Sequence, residues 1–262
     1  MERAKGNVGS QAAVLECRNV GRAFDSYDGE GKNEVLRGMD FEVHENEFLV
    51  LFGAGQCGKT TLLNILAGLD MPTEGQVLSR GQKVTGPAPE RGVVYQKTSL
   101  FPWMTVEENV GFGPKARHMP AEEREARVKK YLELVGLTGF EKSYPSQLSG
   151  GMRQRVGIAR AYANEPDIML MDEPFGHLDA QTRYMMEEEL QRIWQKEKRT
   201  VIFVTNNIEE ALFLADRIIL LTNCPTHIKE EYVIDMPHPR DYVDPEFLRL
   251  RQLITDNMDL TL

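Results

Sequence analysis

The sequence predicts an α/β fold, a mixed sheet core with an inserted helical subdomain, and three patterns carry that prediction. An apolar run from Glu47 to Phe52 leads directly into a glycine-rich stretch, Gly53 to Thr61, and then into Leu62, Leu63, Ile65 and Leu66 at helical spacing. Strand, glycine loop and helix in that order are the first unit of a parallel sheet with helices on its faces. The same alternation returns after Ser149, where short apolar runs and amphipathic stretches follow one another to Leu221. Between the two, from about Pro102 to Gln147, strand signals give way to a charged, helical segment.

In chain order, Val14 to Phe24 has strand composition, and Asp25 to Asn33 reads as a Gly- and charge-rich turn before the strand at Glu47. The helix opened by the glycine loop closes near Gly68. Gly75 to Val84 has the look of a short hairpin, and Gly92 to Tyr95 of a buried strand. In the insertion, Pro120 suits the first turn of a helix, Val128, Tyr131, Leu132 and Val135 fall at i, i+3, i+4 and i+7, and Gly136 ends it. A helix after Ser149 and a strand from Ile168 to Met171 follow, then a helix with Met186, Leu190, Ile193 and Trp194 on one face. A strand (Thr200 to Val204), a helix (Ile208 to Ala215) and a strand (Arg217 to Leu221) complete the core. Beyond them lie a further strand-like run, a Pro237-His238-Pro239 break and a short helix from Pro245. The expected organisation is one domain over 1–262: a core of about 14–96 and 150–222, a helical subdomain of about 97–149, and a C-terminal extension, 223–262.

Charge narrows the function. A net charge of -9 lacks the basic footprint of a nucleic-acid binder and the polybasic face that docks on anionic lipid. No window approaches the roughly 20 apolar residues of a membrane span; the nearest, Val201 to Leu221, is broken by Asn206, Asn207, Glu209, Glu210, Asp216 and Arg217. Met1 to Ala13 is polar and lacks the apolar core of a leader peptide. Cys17, Cys57 and Cys224 are far apart and odd in number, suggesting neither disulfides nor a zinc knuckle. The expectation is a cytoplasmic protein.

Gly53-Ala54-Gly55-Gln56-Cys57-Gly58-Lys59-Thr60 fits the phosphate-loop pattern G-x4-G-K-[ST], with Thr61 next in the helix. Its glycines let successive N–H groups converge on phosphate oxygens, and the helix adds its positive end. Lys59 brings a mobile charge to the β- and γ-phosphates, and the Thr60 hydroxyl can ligate Mg²⁺.

P-loop NTPases are numerous, and other motifs narrow the choice. Leu148-Ser149-Gly150-Gly151-Met152-Arg153-Gln154-Arg155 matches the LSGGxxQR signature of ABC ATPases. Ile168 to Pro174 (IMLMDEP) matches a Walker B strand followed by a glutamate. Gln96 resembles the Q-loop glutamine, Phe175 to Asp179 the D-loop, and Phe24 sits where the family keeps an adenine-stacking aromatic. The chain is thus identified as a member of the ABC ATPases, a resemblance that runs from about Val14 to Leu221. Its stretches RQRVGIARAYANEPDIMLMDEPFG and IEEALFLADRI, and the tail around Met236 to Arg240, are similar to importer ATPases for nitrate, sulfonate, taurine and bicarbonate.

That resemblance implies an ATPase with ATP and Mg²⁺, in which Asp172, Thr60 and Gln96 hold the metal, Glu173 polarises the attacking water, and Gln96 reports nucleotide state to the helical insertion, where a permease docks. It also implies a head-to-tail homodimer or heterodimer with a second ABC ATPase, in which Ser149 and Gly151 contact the γ-phosphate held by the partner, Gly150 belongs to the same nucleotide-binding set and Asp179 lies in the D-loop. Location would be peripheral, at the inner membrane face, with an extracytoplasmic solute-binding protein as an indirect partner.

One departure stands out. Where the family places a histidine, in a pattern like VTHDIEEA, this chain has Asn206, in Val204-Thr205-Asn206-Asn207. Asparagine donates a hydrogen bond to a γ-phosphate but carries no charge and shuttles no proton. Either hydrolysis is slow in this subunit, or a partner subunit supplies a competent second site, or Asn206 does the job at near-normal turnover. His177, at a D-loop position where small residues are usual, is either a tolerated surface histidine or a cross-interface substitute for the imidazole. Cys57 is either a thiol whose pKa is lowered by its positive surroundings or a filler of space. Rival functions are a nucleotide-gated subunit that barely hydrolyses ATP and a soluble ABC ATPase of repair, translation or cluster assembly. Against the latter stand the single cassette, the acidic balance and the lack of a coiled-coil or zinc insertion. An exporter is disfavoured, because no membrane domain is fused.

Overall fold

The computed structural model describes residues 13–26 and 31–258, and divides into two compact units, Met1–Pro87 with Thr200–Leu262, and Ala88–Arg199. In the first unit, β1 (Ala13–Asp25), β2 (Lys32–His44), β4 (Glu74–Ser79) and β5 (Gln82–Lys83) form an antiparallel sheet in the order β2-β1-β4-β5. The hairpin expected at Gly75 to Val84 is the β4–β5 pair. β3 (Phe48–Phe52) runs parallel between β8 (Thr200–Thr205) and β9 (Arg217–Leu221), and β10 (Ile228–Val233) adds antiparallel to β9. Every residue of β3 and β8 is buried, the mark of strands covered on both faces. Their connections are helical, as parallel neighbours require: α1 (Lys59–Ala67) follows β3 and α7 (Ile208–Leu214) follows β8.

β2 was not foreseen; only a turn was expected between Phe24 and Glu47. Its inward residues Leu36, Met39, Phe41 and Val43 are buried, but the step from Leu36 to Met39 is three residues rather than two. A register shift against β1 in that stretch, with Gly38 at φ +55°, accounts for the step. A bulge flips the pleat and hides the strand from a search for alternation.

The second unit pairs β6 (Arg91–Val94) in parallel with β7 (Ile168–Asp172) and carries most of the helices. These are α2 (Val106–Val110), α3 (Phe112–Ala116), α4 (Ala121–Leu134), α5 (Gly150–Tyr162) and α6 (Ala180–Glu197). The predicted α4 face, Val128, Tyr131, Leu132 and Val135, is buried, and so is the α6 face of Met186, Leu190, Ile193 and Trp194. Pro120 lies just outside α4, as its N-cap, rather than in the first turn. A capping box of Thr105 and Glu108 starts α2. One turn later the fully buried Asn109 amide donates to the carbonyls of Phe101, Met104 and Thr105, knotting the segment that leads into the helices. The last helix, α8 (Pro245–Asp256), belongs to the first unit and packs on α7. No described helix is long and apolar enough to cross a membrane.

Candidate functional site

In each unit several of the expected residues lie just beyond the C-terminal ends of its parallel strands, where open α/β sheets bind ligands.

In the first unit, the glycine loop leaves β3 and enters α1. Gln56 (φ +63°) and Gly58 (φ +93°) adopt left-handed conformations that curl the chain. A Cβ at Gly58 would lie 2.9 Å from Val35 Cγ1, so the tip of the β1–β2 sheet is pressed against the loop. Gly53 is similarly enclosed by Cys57 Sγ and Leu221, whereas nothing stands within 4 Å of a Cβ at Gly55. The loop is therefore braced from behind and open in front at Gly55 and Gln56, both exposed. Lys59 is buried, and its Nζ donates to the carbonyls of Gly53 (2.9 Å) and Ala54 (2.6 Å), which keeps the ammonium inside the curl. Thr60 is exposed and Thr61 half-buried at the start of α1.

Thr226, which sequence reasoning missed, completes the brace. Fully buried, it donates through Oγ1 to the Cys57 carbonyl, while its N–H bonds Val35 O (2.8 Å) and its carbonyl accepts from Arg37 N–H (2.9 Å). Nothing near Thr226 in the sequence resembles a motif, so no signal marked it. Burial raises the Cys57 thiol pKa above its ordinary value, against the opposing pull of Lys59. The lowered-pKa reading of Cys57 is thus corrected: the thiol is a protonated filler of space.

Phe24 stands at the end of β1 paired with Asn33, two residues before the Val35 that touches the loop. Its ring is 39% exposed, enough for a flat ligand to reach it, and the Arg22 guanidinium lies 4.3 Å from the ring centroid. Arg22 is itself paired with Asp70 at 2.9 Å.

Asn206 lies beside the glycine loop. β3 and β8 are in parallel register with Phe52 opposite Thr205, so the next step sets Asn206 abreast of Gly53. Neighbouring strands run about 4.8 Å apart, which puts this asparagine at the mouth of the phosphate loop. Its flanks are locked. Thr205 Oγ1 donates to buried Glu210 and accepts from Asn207 N–H (3.0 Å), and the Asn207 side chain caps α7 by accepting from Glu209 and Glu210 N–H. Asn206 alone in this run is exposed.

In the second unit, Val94 pairs with Met171, so Tyr95 and Gln96 leave β6 next to the end of β7 at Asp172. Asp172 is buried at the end of β7, and the Tyr95 phenol, its pKa raised first by burial, is raised further by the Asp172 charge. Glu173 sits at φ +40°, a strained conformation for a side-chain-bearing residue and one that clusters at functional sites. The turn it opens is closed by Gly176 N–H on the Glu173 carbonyl and anchored by fully buried Phe175. A Cβ at Gly176 would lie 2.9 Å from Gln96 Nε2, so the glutamine packs on this turn. His177 is exposed. Asp179 is the N-cap of α6, accepting from Thr182 N–H (3.0 Å) and Oγ1 (2.7 Å), which hold its carboxyl below the usual range.

Ser149 caps α5, accepting from Met152 N–H, as its sequence position predicts, with Gly150 exposed beside it. Gly151 faces Thr182 Cγ2 at 2.9 Å from a hypothetical Cβ, which ties the signature to the Asp179 cap. Further along α5, Gln154 accepts from Thr98 Oγ1 at 2.7 Å, and a Cβ at Gly157 would clash with Thr98 Cγ2 at 2.1 Å. The signature helix and the segment after Gln96 are therefore in direct contact.

Comparison with known proteins identifies the family. A family model described as ABC transporter matches residues 36–176. An uncharacterized ABC transporter ATP-binding protein of Methanocaldococcus jannaschii, MJ0412, is 52% identical over 92% of this chain and 89% of its own. The nitrate import ATP-binding protein NrtD of Synechocystis sp. is 44% identical, with 85% of this chain and 83% of its own covered. Among solved structures, the dimeric post-hydrolysis state of the ATP-binding cassette MJ0796 bound to ADP and Pi superposes with a TM-score of 0.73 at 31% identity, over 85% of this chain and all of that one.

Proposed function

This chain belongs to the ABC transporter family, and from that membership we propose that it energises an importer of a small anionic solute. It is an ATP-binding subunit that hydrolyses ATP. It works as a dimer on a membrane permease, which holds it at the membrane. The anionic solute rests on its likeness to a nitrate importer, and a solute-binding protein would deliver that solute to the permease.

The observation that supports this reading best is the register of β3 on β8, because it sets a hydrogen-bond donor beside a braced phosphate loop. Backbone amides of Gly55 to Thr60 and the Lys59 ammonium hold the β- and γ-phosphates, and Phe24 stacks on the base. Thr60, Asp172 and Gln96 all offer oxygen donors, the kind Mg²⁺ takes. A bound Mg²⁺ ion would neutralise charge on the β- and γ-phosphates. Glu173 orients and polarises the attacking water, and Asn206 donates to the γ-phosphate. Ser149, Gly150 and Gly151 serve the nucleotide of the partner cassette.

Asn206 cannot carry charge, so we assign this subunit a turnover below that of a histidine-bearing cassette. The test of the whole reading is Glu173→Gln in the intact transporter. It keeps the side chain's shape and removes the carboxylate, so ATP should bind and hold the dimer together while hydrolysis falls by about 10²-fold or more. Hydrolysis at the wild-type rate would refute the assignment of Glu173. A monomer at saturating ATP would count against the sandwich.

A further inference from the structure

From Ile234 onward the C-terminal extension takes no part in the phosphate-loop, Walker B or signature patterns, and several of its contacts converge on α7. Arg240 is buried, and its guanidinium donates through Nη1 to the carbonyls of Leu212 and Ala215, both at 2.6 Å. Those are carbonyls of the last turn of α7, which no partner within the helix can satisfy. Through Nε and Nη2 the same guanidinium donates to Met236 (3.1 and 3.0 Å) and Ile234 (3.3 Å), so it staples the extension to the helix end. A cation at a helix C-terminus also complements the helix dipole. Next to it, Tyr242 stacks flat on Phe213 of α7 at 4.8 Å and 2°, with Phe247 of α8 edge-on behind it at 5.3 Å. At the other end of α7, Arg251 of α8 pairs with Glu209 at 2.8 Å. The helix is held at its first turn by Arg251 and at its last turn by Arg240 and Tyr242, all from one segment.

We infer that this segment, Ile234 to Arg251, is a brace that positions Asn206 for hydrolysis, with Arg240 as its main positioning residue and Arg251 as its second. The route is short. Asn206 lies between the last residue of β8 and Asn207, the cap of α7. β8 is pinned inside the sheet, so the asparagine can shift only if α7 shifts. The brace fixes α7, and the Asn207 and Thr205 hydrogen bonds pass that fixity to the one exposed residue between them. Conformational gating of this kind acts on turnover rather than on ATP affinity, because the phosphate loop is braced separately by Thr226 and β2.

This inference rests on the proposed role of Asn206, and the experiment separates the two. Steady-state ATPase rates and KM for ATP are measured on the intact transporter carrying Asn206→Ala, Arg240→Gln, Arg240→Lys, Arg251→Gln, and the Asn206→Ala/Arg240→Gln pair. Hydrogen exchange of the α7 amides is followed alongside. The expected result is a drop in kcat of about tenfold for Arg240→Gln with KM within about twofold, an intermediate value for Arg240→Lys, and about a twofold drop for Arg251→Gln. Exchange along α7 rises in the same order. The double variant loses no more than the larger of its two single losses, since both act through one side chain. A multiplicative loss in the double variant, or faster α7 exchange with unchanged kcat, would overturn the brace. If Asn206→Ala alone leaves kcat unchanged, the role of Asn206 has failed, and the brace fails with it as a device for hydrolysis. Should Arg240→Gln not fold, Arg251→Gln decides, because its ion pair is half-exposed and its removal leaves the fold intact: a fall in kcat at constant KM supports the brace, and an unchanged rate overturns it.

Discussion

The phosphate loop and the Asn206 loop leave adjacent parallel strands of one sheet, yet they are built on opposite plans. The first is a backbone device. Lys59 is tied to carbonyls of its own loop, Cys57 is buried, and its rear is closed by Val35, Leu221 and Thr226. The second is a side-chain device in which Thr205, Asn207 and Glu210 are fully committed to holding the chain and Asn206 alone is presented. A backbone cradle tolerates little and binds; a single presented donor is easily exchanged and tunes rate. The difference teaches why substitution in this chain falls on the second loop and leaves the first with its full pattern.

Three experiments sharpen that division, beginning with the largest effect. Lys59→Ala removes the charge proposed to hold the β- and γ-phosphates, and Mg-ATP affinity measured by calorimetry should fall by well over tenfold, about 1.4 kcal/mol for each factor of ten. Unchanged affinity would remove the loop from nucleotide binding altogether. Phe24→Ala should weaken ATP by about 1–3 kcal/mol, the worth of stacking an aromatic on a base, with a Tyr27→Ala control unaffected. Tyr27 lies outside the described residues, so a reversed result would move the base platform there. Smallest is the Thr226 brace. Thr226→Val leaves the buried Cys57 carbonyl without its donor and should raise the Kd for ATP a few-fold, from about 1 kcal/mol, while Thr226→Ser restores it. A fourth check concerns reactivity rather than affinity. Burial raises the thiol pKa of both Cys17 and Cys57, so in the native protein at pH 8 a maleimide should label exposed Cys224 and spare the other two.

Much of this was legible in the sequence because each motif is contiguous. The strand-loop-helix at Gly53 to Thr61, the Ser149 cap and the strand ending at Asp172 follow directly from local pattern and occur in the structure where expected. The apolar faces of α4 and α6 were equally plain, since helical spacing survives any tertiary context. What escaped depends on residues distant in the chain. β2 was hidden by a bulge that breaks its alternation. Thr226 acts on a loop 169 residues away with no motif beside it, and Arg240, in a tail whose resemblance implied no contact, reaches carbonyls 25 and 28 residues upstream. Cys57 was open to two readings because sequence shows the nearby lysine but not the burial, and burial wins.

The central claim is that the two loops divide binding from turnover, and Asn206→His tests it most directly. A donor aimed at charge developing on a transferred phosphoryl group is worth about 10²–10³ in rate, of which asparagine retains part. In the intact transporter, Asn206→His should raise kcat about tenfold with the Kd for ATP unchanged within about twofold. A His177→Ala background removes the other imidazole that could act, and the gain should persist there. A flat rate in both backgrounds, or a shift in affinity without a shift in rate, would contradict the division.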